Sequence, residues 1–273
     1  FKQKTAYEIM PSLVGSEMCI RDRGKRAASL KDEDFVSKLF VANTHDTLLC
    51  FSSYGKVYWI KVYRLPRGGR NAKGRPIVNL LPLEKDERIQ AVLPVKEFND
   101  DQFIFMATES GSVKKTKLSA YSRPMKSGIK AIKLREGDRV VNAEITDGSK
   151  EIMLFSNSGK SIRFKETDAR PMGRVSQGVR GMRIEKDQRI ISLVVLEEGN
   201  ILVATENGYG KQTLKDEFSI QKRGGKGVIA IQTSDRNGNL IGAKQVNTGD
   251  EVMFISTSGN LIRTRSDDIS IIG

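Results

Sequence analysis

Histidine and cysteine are nearly missing from this chain of 273 residues, which holds one His and two Cys. The two thiols, Cys19 and Cys50, are too few for a disulfide framework and lack metal-ligand spacing, which fits a reducing cytoplasm. The lone histidine, His45, stands beside Asp46, yet no nucleophile is paired with them. General-base chemistry is conceivable there, but without a paired nucleophile His45 reads as a strand-edge or turn residue. No apolar run approaches the length of a membrane-spanning helix. Helical periodicity is confined to about one turn near residues 215–218. The opening FKQKTAYEIM has neither an apolar stretch after its charges nor an initiator Met. It reads as the start of a fragment and not as a signal peptide. SNSGKS has the Gly159-Lys160-Ser161 of a phosphate-binding loop, but Leu154 stands where that loop needs glycine and no helix follows.

What is abundant is positive charge and glycine. Lys and Arg number 46 against 33 Asp and Glu, a formal charge of +13, and Gly numbers 25. With 38% hydrophobic residues, the chain suits a folded protein with many turns, and its charge points to a polyanionic partner.

The chain also repeats. LLCFSSYGKVYWIKV, FIFMATESGSVKKTKL, IMLFSNSGKSIRFKET, ILVATENGYGKQTL and VMFISTSGNLIRTR share one plan: an apolar run, small polar residues, glycine, then a run carrying cations. Their glycines, Gly55, Gly111, Gly159, Gly208 and Gly259, recur at about fifty residues. A second unit interleaves with the first and is led by Gly24, Gly74, Gly128, Gly178 and Gly227. Each period offers four strand candidates, such as IKAIKL, VVNAEI, EIMLF and SIRFK. FSNSGKSI reads as a hairpin whose glycine supplies the turn's positive φ. The expected fold is all-β: four-stranded antiparallel blades in a propeller-like disc, six-bladed by count and incomplete at the termini. A β-solenoid or several small barrels are the alternatives. One stretch, TAYEIMPSLVGSEMCIRDR at residues 5–23, has no counterpart in the other units. It resembles a translated sequencing adapter, so the native domain is expected to resume near Gly24 and run to residue 273; a real unit-specific insertion is the alternative.

Counting from each hairpin glycine, positions four and six are Lys115 and Lys117, Arg163 and Lys165, Arg263 and Arg265. The first unit has Trp59 and Lys61 there, the fourth Gln212 and Leu214, with Lys211 adjacent. Side chains two apart share a strand face, so radial repetition would arrange these cations as a rim suited to phosphate contacts. Solvent cover of exposed strands is the plainer reading of any single pair. The acidic clusters Glu84-Lys85-Asp86-Glu87 and Glu185-Lys186-Asp187 recur beside a turn and read as loop caps, since they lack the spacing of a calcium loop. Tyr58 and Trp59 read as core or rim cover. QKRGGKG, formed by Gln221, Lys222, Arg223, Gly224, Gly225, Lys226 and Gly227, lies at the joint between neighbouring blades. Its glycines allow close approach to a phosphate and its cations supply charge. LPRGGRNAKGRP at residues 65–76 is a second such joint. A flexible linker is the alternative for both.

Period, hairpins and joint together resemble the C-terminal domain of DNA gyrase A subunits, within the type IIA topoisomerase family. The likeness runs from Gly24 to Gly273, and residues 221–227 satisfy that family's box, Q-[RK]-R-G-G-[RK]-G, in full. In the family the box precedes the first complete repeat. Here that place falls at residues 18–24, where only Arg23-Gly24 before Lys25 fits. The copy at 221–227 is then either a second box or the main one. The resemblance implies a six-bladed β-pinwheel that wraps duplex DNA around a basic rim and supports ATP-dependent negative supercoiling. It implies no cofactor and no catalytic residue in this chain, Tyr7 included, with ATP and Mg2+ used elsewhere in the holoenzyme. It implies a second A subunit, paired with gyrase B subunits, in an A2B2 assembly. The setting would be the cytoplasm, on the bacterial chromosome, without a membrane. Two alternatives differ in function. One is the C-terminal domain of the topoisomerase IV A subunit, which selects DNA segments. The other is a protein-binding propeller, for which the sequence offers no repeated aromatic loop.

Overall fold

The structure is a computed structural model that describes residues 42–66, 76–255 and 261–273. Gly24, residues 5–23 and 67–75, and the hairpin glycine Gly259 lie outside the described residues. The chain forms a hairpin, β1 (Thr47–Ser52) and β2 (Lys56–Lys61), then the single strand β3 (Ile89–Val95). A second hairpin follows, β4 (Phe103–Thr108) and β5 (Ser112–Lys117), then the two-residue β6 (Ile129–Lys130) and the long β7 (Val140–Thr146). The pattern repeats as β8 (Glu151–Ser156), β9 (Lys160–Lys165), β10 (Val179–Arg180) and β11 (Ile190–Leu196). It repeats again as β12 (Asn200–Thr205), β13 (Gly210–Leu214), β14 (Val228–Ile229) and β15 (Leu240–Val246), and closes on the hairpin β16 (Glu251–Ile255) and β17 (Leu261–Arg265).

Three sheets have four strands, ordered β3-β1-β2-β6, β7-β4-β5-β10 and β11-β8-β9-β14. A fourth runs β15-β12-β13 and a fifth is the pair β16-β17, and all ladders between strands are antiparallel. This is the blade architecture of an incomplete propeller. The strands of one sequence period do not share a sheet, however. IKAIKL contributes only β6, which joins the first sheet, VVNAEI joins the second, and EIMLF with SIRFK make the third. The exchange has a simple cause. β2, β5 and β9 would each expose an unpaired edge, and the segment that follows the next hairpin crosses back to pair with it. Each blade is thereby stitched to its neighbour by main-chain hydrogen bonds.

The hairpins form where the glycine pattern predicts them. The N–H groups of Gly55, Gly111, Gly159 and Gly208 each return to the carbonyl three residues earlier at 3.0 Å. At Gly159, φ is +77° and a Cβ would lie 2.1 Å from the Ile231 carbonyl oxygen, so no other residue fits without displacing the backbone. The central strands read as unbroken apolar runs because both faces are buried. Ile104 and Met106 of β4 pack into the core shared with β1, while Phe105 and Ala107 face the core shared with β8. In β8 the same alternation sends Ile152 and Leu154 one way, Met153 and Phe155 the other. β3, β7, β11 and β15 pack against one another in succession, which makes them the inner track. The two-residue strands β6, β10 and β14 therefore lie along the outer edge, with the joints that lead into them. The expected turn near 215–218 is a 3-10 turn at Lys215–Glu217, and equivalents follow the other hairpins at Val62–Arg64, Leu118–Tyr121, Glu166–Asp168 and Ser266–Asp268.

Candidate nucleic-acid interface

Positions four and six of the hairpins share a strand face but not an environment. Position six is exposed at Lys61, Lys117, Lys165 and Arg265, at the strand end where the 3-10 turn begins. Lys61 Nζ donates to Thr47 Oγ1 at 2.7 Å, and Lys117 lies 3.6 Å from Asp100 Oδ1 across open solvent. Position four is covered, so the expectation of exposed basic pairs is corrected there. Lys115 is 4% exposed and Arg163 8%.

The cover is the 3-10 turn of the next blade. Trp59 Nε1 donates to the Tyr121 carbonyl at 2.9 Å, and Lys115 Nζ to the Glu166 carbonyl at 3.5 Å. Arg163 Nη1 donates to the carbonyls of Lys215 at 2.5 Å and Phe218 at 3.0 Å, and Gln212 Nε2 to those of Ser266 and, at 3.3 Å, Ile269. Four different side chains thus meet one demand. The first carbonyl of three of these turns already accepts the N–H three residues on, Glu166 from Ala169, Lys215 from Phe218 and Ser266 from Ile269, and the residue at position four adds a second donor there. At Tyr121, Phe218 and Ile269 it serves a carbonyl at or just past the turn's end. The two cations are neutralised as well. Lys115 lies 3.7 Å from the fully buried Glu166 and 4.9 Å from the centre of the Phe103 ring, and Arg163 Nη2 is 2.6 Å from Glu151. Arg263 pairs with Glu251. Lys211 is half-buried and reaches the Gly273 carbonyl at 3.3 Å. Lys115 and Arg163 therefore hold blades together, and neither is free for a phosphate.

The QKRGGKG joint is a loop on the outer edge of the third sheet. It leaves that edge where Ile220 bridges Arg163 and rejoins it where Val228 pairs with Ser161. Gln221 N–H donates to the Arg163 carbonyl at 2.8 Å. Gly224 has φ +83°, and its N–H meets the Gly181 carbonyl of the preceding joint at 2.6 Å. Gly227 has φ +73°, and a Cβ there would lie 2.3 Å from the Ser161 carbonyl oxygen. Arg223 donates to the carbonyls of Asp168 at 2.9 Å and Arg180 at 3.0 Å. Only Lys222 and Lys226 of its three cations are exposed, and neither is ion-paired with a described residue. The loop is docked and shaped, which argues against a loose linker.

Each joint also rests on the one before it. Arg183 N–H donates to the Gly225 carbonyl at 2.8 Å, as Lys133 N–H does to that of Ser176 at 3.1 Å. The result is a track of joints along the outer edge. Residues 122–134 hold four cations and no acid, residues 170–183 four and no acid, and residues 219–233 three and no acid. Arg123, Lys126, Lys130, Lys133, Arg170, Arg180 and Arg183 are exposed there alongside Lys222 and Lys226. Numbering from the hairpin glycines passes over these seven. An acid-free window recurring at the repeat period is the sequence signal that finds them.

The remaining candidates are structural. His45 is exposed in a turn whose Asp46 accepts the Asn43 N–H at 2.9 Å. Glu87 is buried as a loop cap, accepting the Tyr58 hydroxyl at 3.1 Å and the Glu84 N–H at 2.8 Å. Burial and the Glu87 carboxylate push the Tyr58 phenol well above its ordinary range. Among the described residues no group of His, Cys, Asp or Glu is arranged to hold a metal ion, and no helix is long and apolar enough to cross a membrane.

Fold and edge together define a class: a strand-exchanged propeller whose outer track is made of basic, acid-free loops. A family model described as the DNA gyrase C-terminal domain, a beta-propeller, matches residues 20–43, 46–96, 102–147, 150–197, 199–247 and 250–273. The chain belongs to that family. It is 52% identical over 252 residues to the A subunit of DNA gyrase from Salmonella typhimurium, covering 92% of this chain and 29% of that protein. Among solved structures, the C-terminal domain of DNA topoisomerase IV superimposes with a TM-score of 0.81 at 27% identity, covering 89% of this chain and 77% of that one. A DNA gyrase A C-terminal domain gives 0.73 at 26% identity, covering 91% and 84%. The chain thus spans about three tenths of the length of its gyrase relative.

Proposed function

We propose that this chain binds duplex DNA along its outer track and bends it around the propeller, as the wrapping part of a DNA gyrase A subunit. The observation that carries the reading is the acid-free track of joints, with nine exposed cations whose charge no described carboxylate neutralises. Cations spread along a curved edge suit phosphates, which recur along a duplex regardless of sequence. Bending a duplex tightly costs up to about 10 kcal/mol, so many contacts must act together. Lys222 and Lys226 sit where the box glycines let a backbone approach closely, and the exposed position-six cations Lys61, Lys117, Lys165 and Arg265 extend the charge toward one end of the blades. In the complete protein, wrapping would present a DNA segment for strand passage and so support negative supercoiling. ATP and Mg2+ would act in other parts of an A2B2 assembly with the B subunit, in the bacterial cytoplasm on the chromosome. The native domain is taken to begin near Gly24.

The likeness to the topoisomerase IV domain supports a second reading, in which DNA is bound for segment selection with little wrapping. Ligating nicked circular DNA with increasing amounts of the chain separates the two. Wrapping shifts the topoisomer distribution in one direction, and Lys222→Ala with Lys226→Ala reduces the shift. Saturated binding with no shift sinks the wrapping reading.

A further inference from the structure

The three joints differ at one register. Three residues before the positive-φ glycines Gly128, Gly178 and Gly227 stand Met125, Val175 and Gly224. Met125 is 58% exposed and Val175 62%, on the outer track and away from the described cores. Around Met125 every residue from 122 to 127 is exposed, and Arg123 and Lys126 bracket the apolar pair Pro124-Met125. The Gly128 N–H closes a turn on the Met125 carbonyl at 3.0 Å, and proline at 124 fixes its own φ, so the apex is held in shape. A single exposed apolar side chain needs no explanation. An apolar apex on a shaped loop, flanked by cations with no acid in residues 122–134, is a different case. Its surroundings suit a polyanion, and its tip suits the apolar surfaces that a duplex offers, thymine methyls and sugars along the grooves and the base faces where a step opens.

We propose that Met125, backed by Pro124, is a wedge that enters the minor groove and opens a base step, with Val175 as a shorter contact one blade further along. Arg123 and Lys126 hold the phosphates on either side. The inference rests on the DNA-wrapping reading and adds how the bend is made. Apolar wedges of this kind partly unstack a step and kink the duplex toward the major groove. Part of the curvature is then concentrated at the joints, and flexible pyrimidine–purine steps are favoured there. Gly224 leaves the third joint without a wedge, so the box approaches the backbone closely and does not kink it.

The test titrates the whole chain into linear duplex carrying 2-aminopurine at TA and CA steps and an end label for anisotropy. 2-Aminopurine brightens when unstacked. At saturation the emission is expected to rise about twofold or more, as unstacking requires. Met125→Ser removes most of that rise, Met125→Leu keeps it, and Met125→Ser with Val175→Ser abolishes it. Affinity in the same samples changes by less than about threefold, because phosphate contacts dominate it. Saturated anisotropy without a rise in emission, or a Met125→Ser variant that keeps the full rise, overturns the wedge while leaving wrapping intact. Absence of any anisotropy change at low salt overturns wrapping and the wedge together.

Discussion

Lys114 on β5 is fully buried, with its ammonium donating to the Ala131 carbonyl at 2.7 Å and to the Arg174 carbonyl. It ties two successive joints from beneath, yet no described carboxylate pairs with it. Burial first, and the nearby Arg174 charge second, lower its pKa from 10.5 to about 7. The unfolded chain keeps this proton up to about pH 10.5, whereas the folded chain releases it near pH 7. Over that window the unfolded state binds more protons, so stability rises with pH. The gain between about pH 7 and about pH 10 is on the order of 3 kcal/mol at most. Urea unfolding at the two ends of this range should show a smaller rise in Lys114→Met than in the parent chain, and parallel profiles would exclude Lys114 as the source. The same strand shows how far single residues were legible. Lys114 and Lys115 look alike in SVKKTK, but one carries the joints and the other caps the turn at Glu166. Sequence periodicity assigned both Lys115 and Lys117 to one face. It carried no information on what the next blade lays over that face.

At the scale of elements, the repeat, the hairpins and their glycine turns were readable, because each is a local pattern of apolar run, small polar residues and glycine. The exchanged strands were not. β6, β10 and β14 are two residues long and show no alternation. Their partners lie about seventy positions away, as in Lys56 with Lys130 and Val179 with Val113. The latch at position four has the same long-range character and is the element-scale contact most open to test. Removing one partner of a fully buried pair costs about 3–5 kcal/mol, and the loss is smaller at Arg163 because its partner Glu151 keeps 28% of its side chain exposed. Arg163→Met should therefore lower the thermal midpoint of unfolding by several degrees, with Glu151 losing its ion pair and the Phe218 carbonyl its Arg163 donor, while the Lys215 carbonyl keeps only the Phe218 N–H. Lys165→Met, two residues along the same face but exposed, should leave the midpoint within about a degree or two, as surface substitutions do. Equal losses in the two variants would show that the latch carries no special weight. Arg163→Lys separates charge from geometry, since a lysine retains the charge but cannot reach both carbonyls and Glu151 in one fork.

For the whole molecule the question is which of two sets of cations carries the duplex. One set is the outer track, exposed at Lys130, Lys133, Arg180 and Arg183 on and beside β6 and β10. The other is the ring of position-six residues, Lys61, Lys117, Lys165 and Arg265, at the strand ends. The two sets make different predictions because their neighbours differ. Acids crowd the strand ends, with Asp100 beside Lys117 and Asp168 just beyond Lys165, whereas the joints hold no acid at all. Potential therefore accumulates along the track and is partly cancelled at the ends. Each phosphate left without its cation lowers the slope of log affinity against log salt by about 0.9 on duplex DNA. Changing the four track cations to Gln should reduce that slope by about 3 to 4, with affinity falling alike on unrelated sequences. Changing the four position-six residues to Gln should reduce it by no more than about 1 to 2, since their charge is already partly neutralised. A slope that falls more in the position-six variant would move the DNA path from the outer edge to the strand ends.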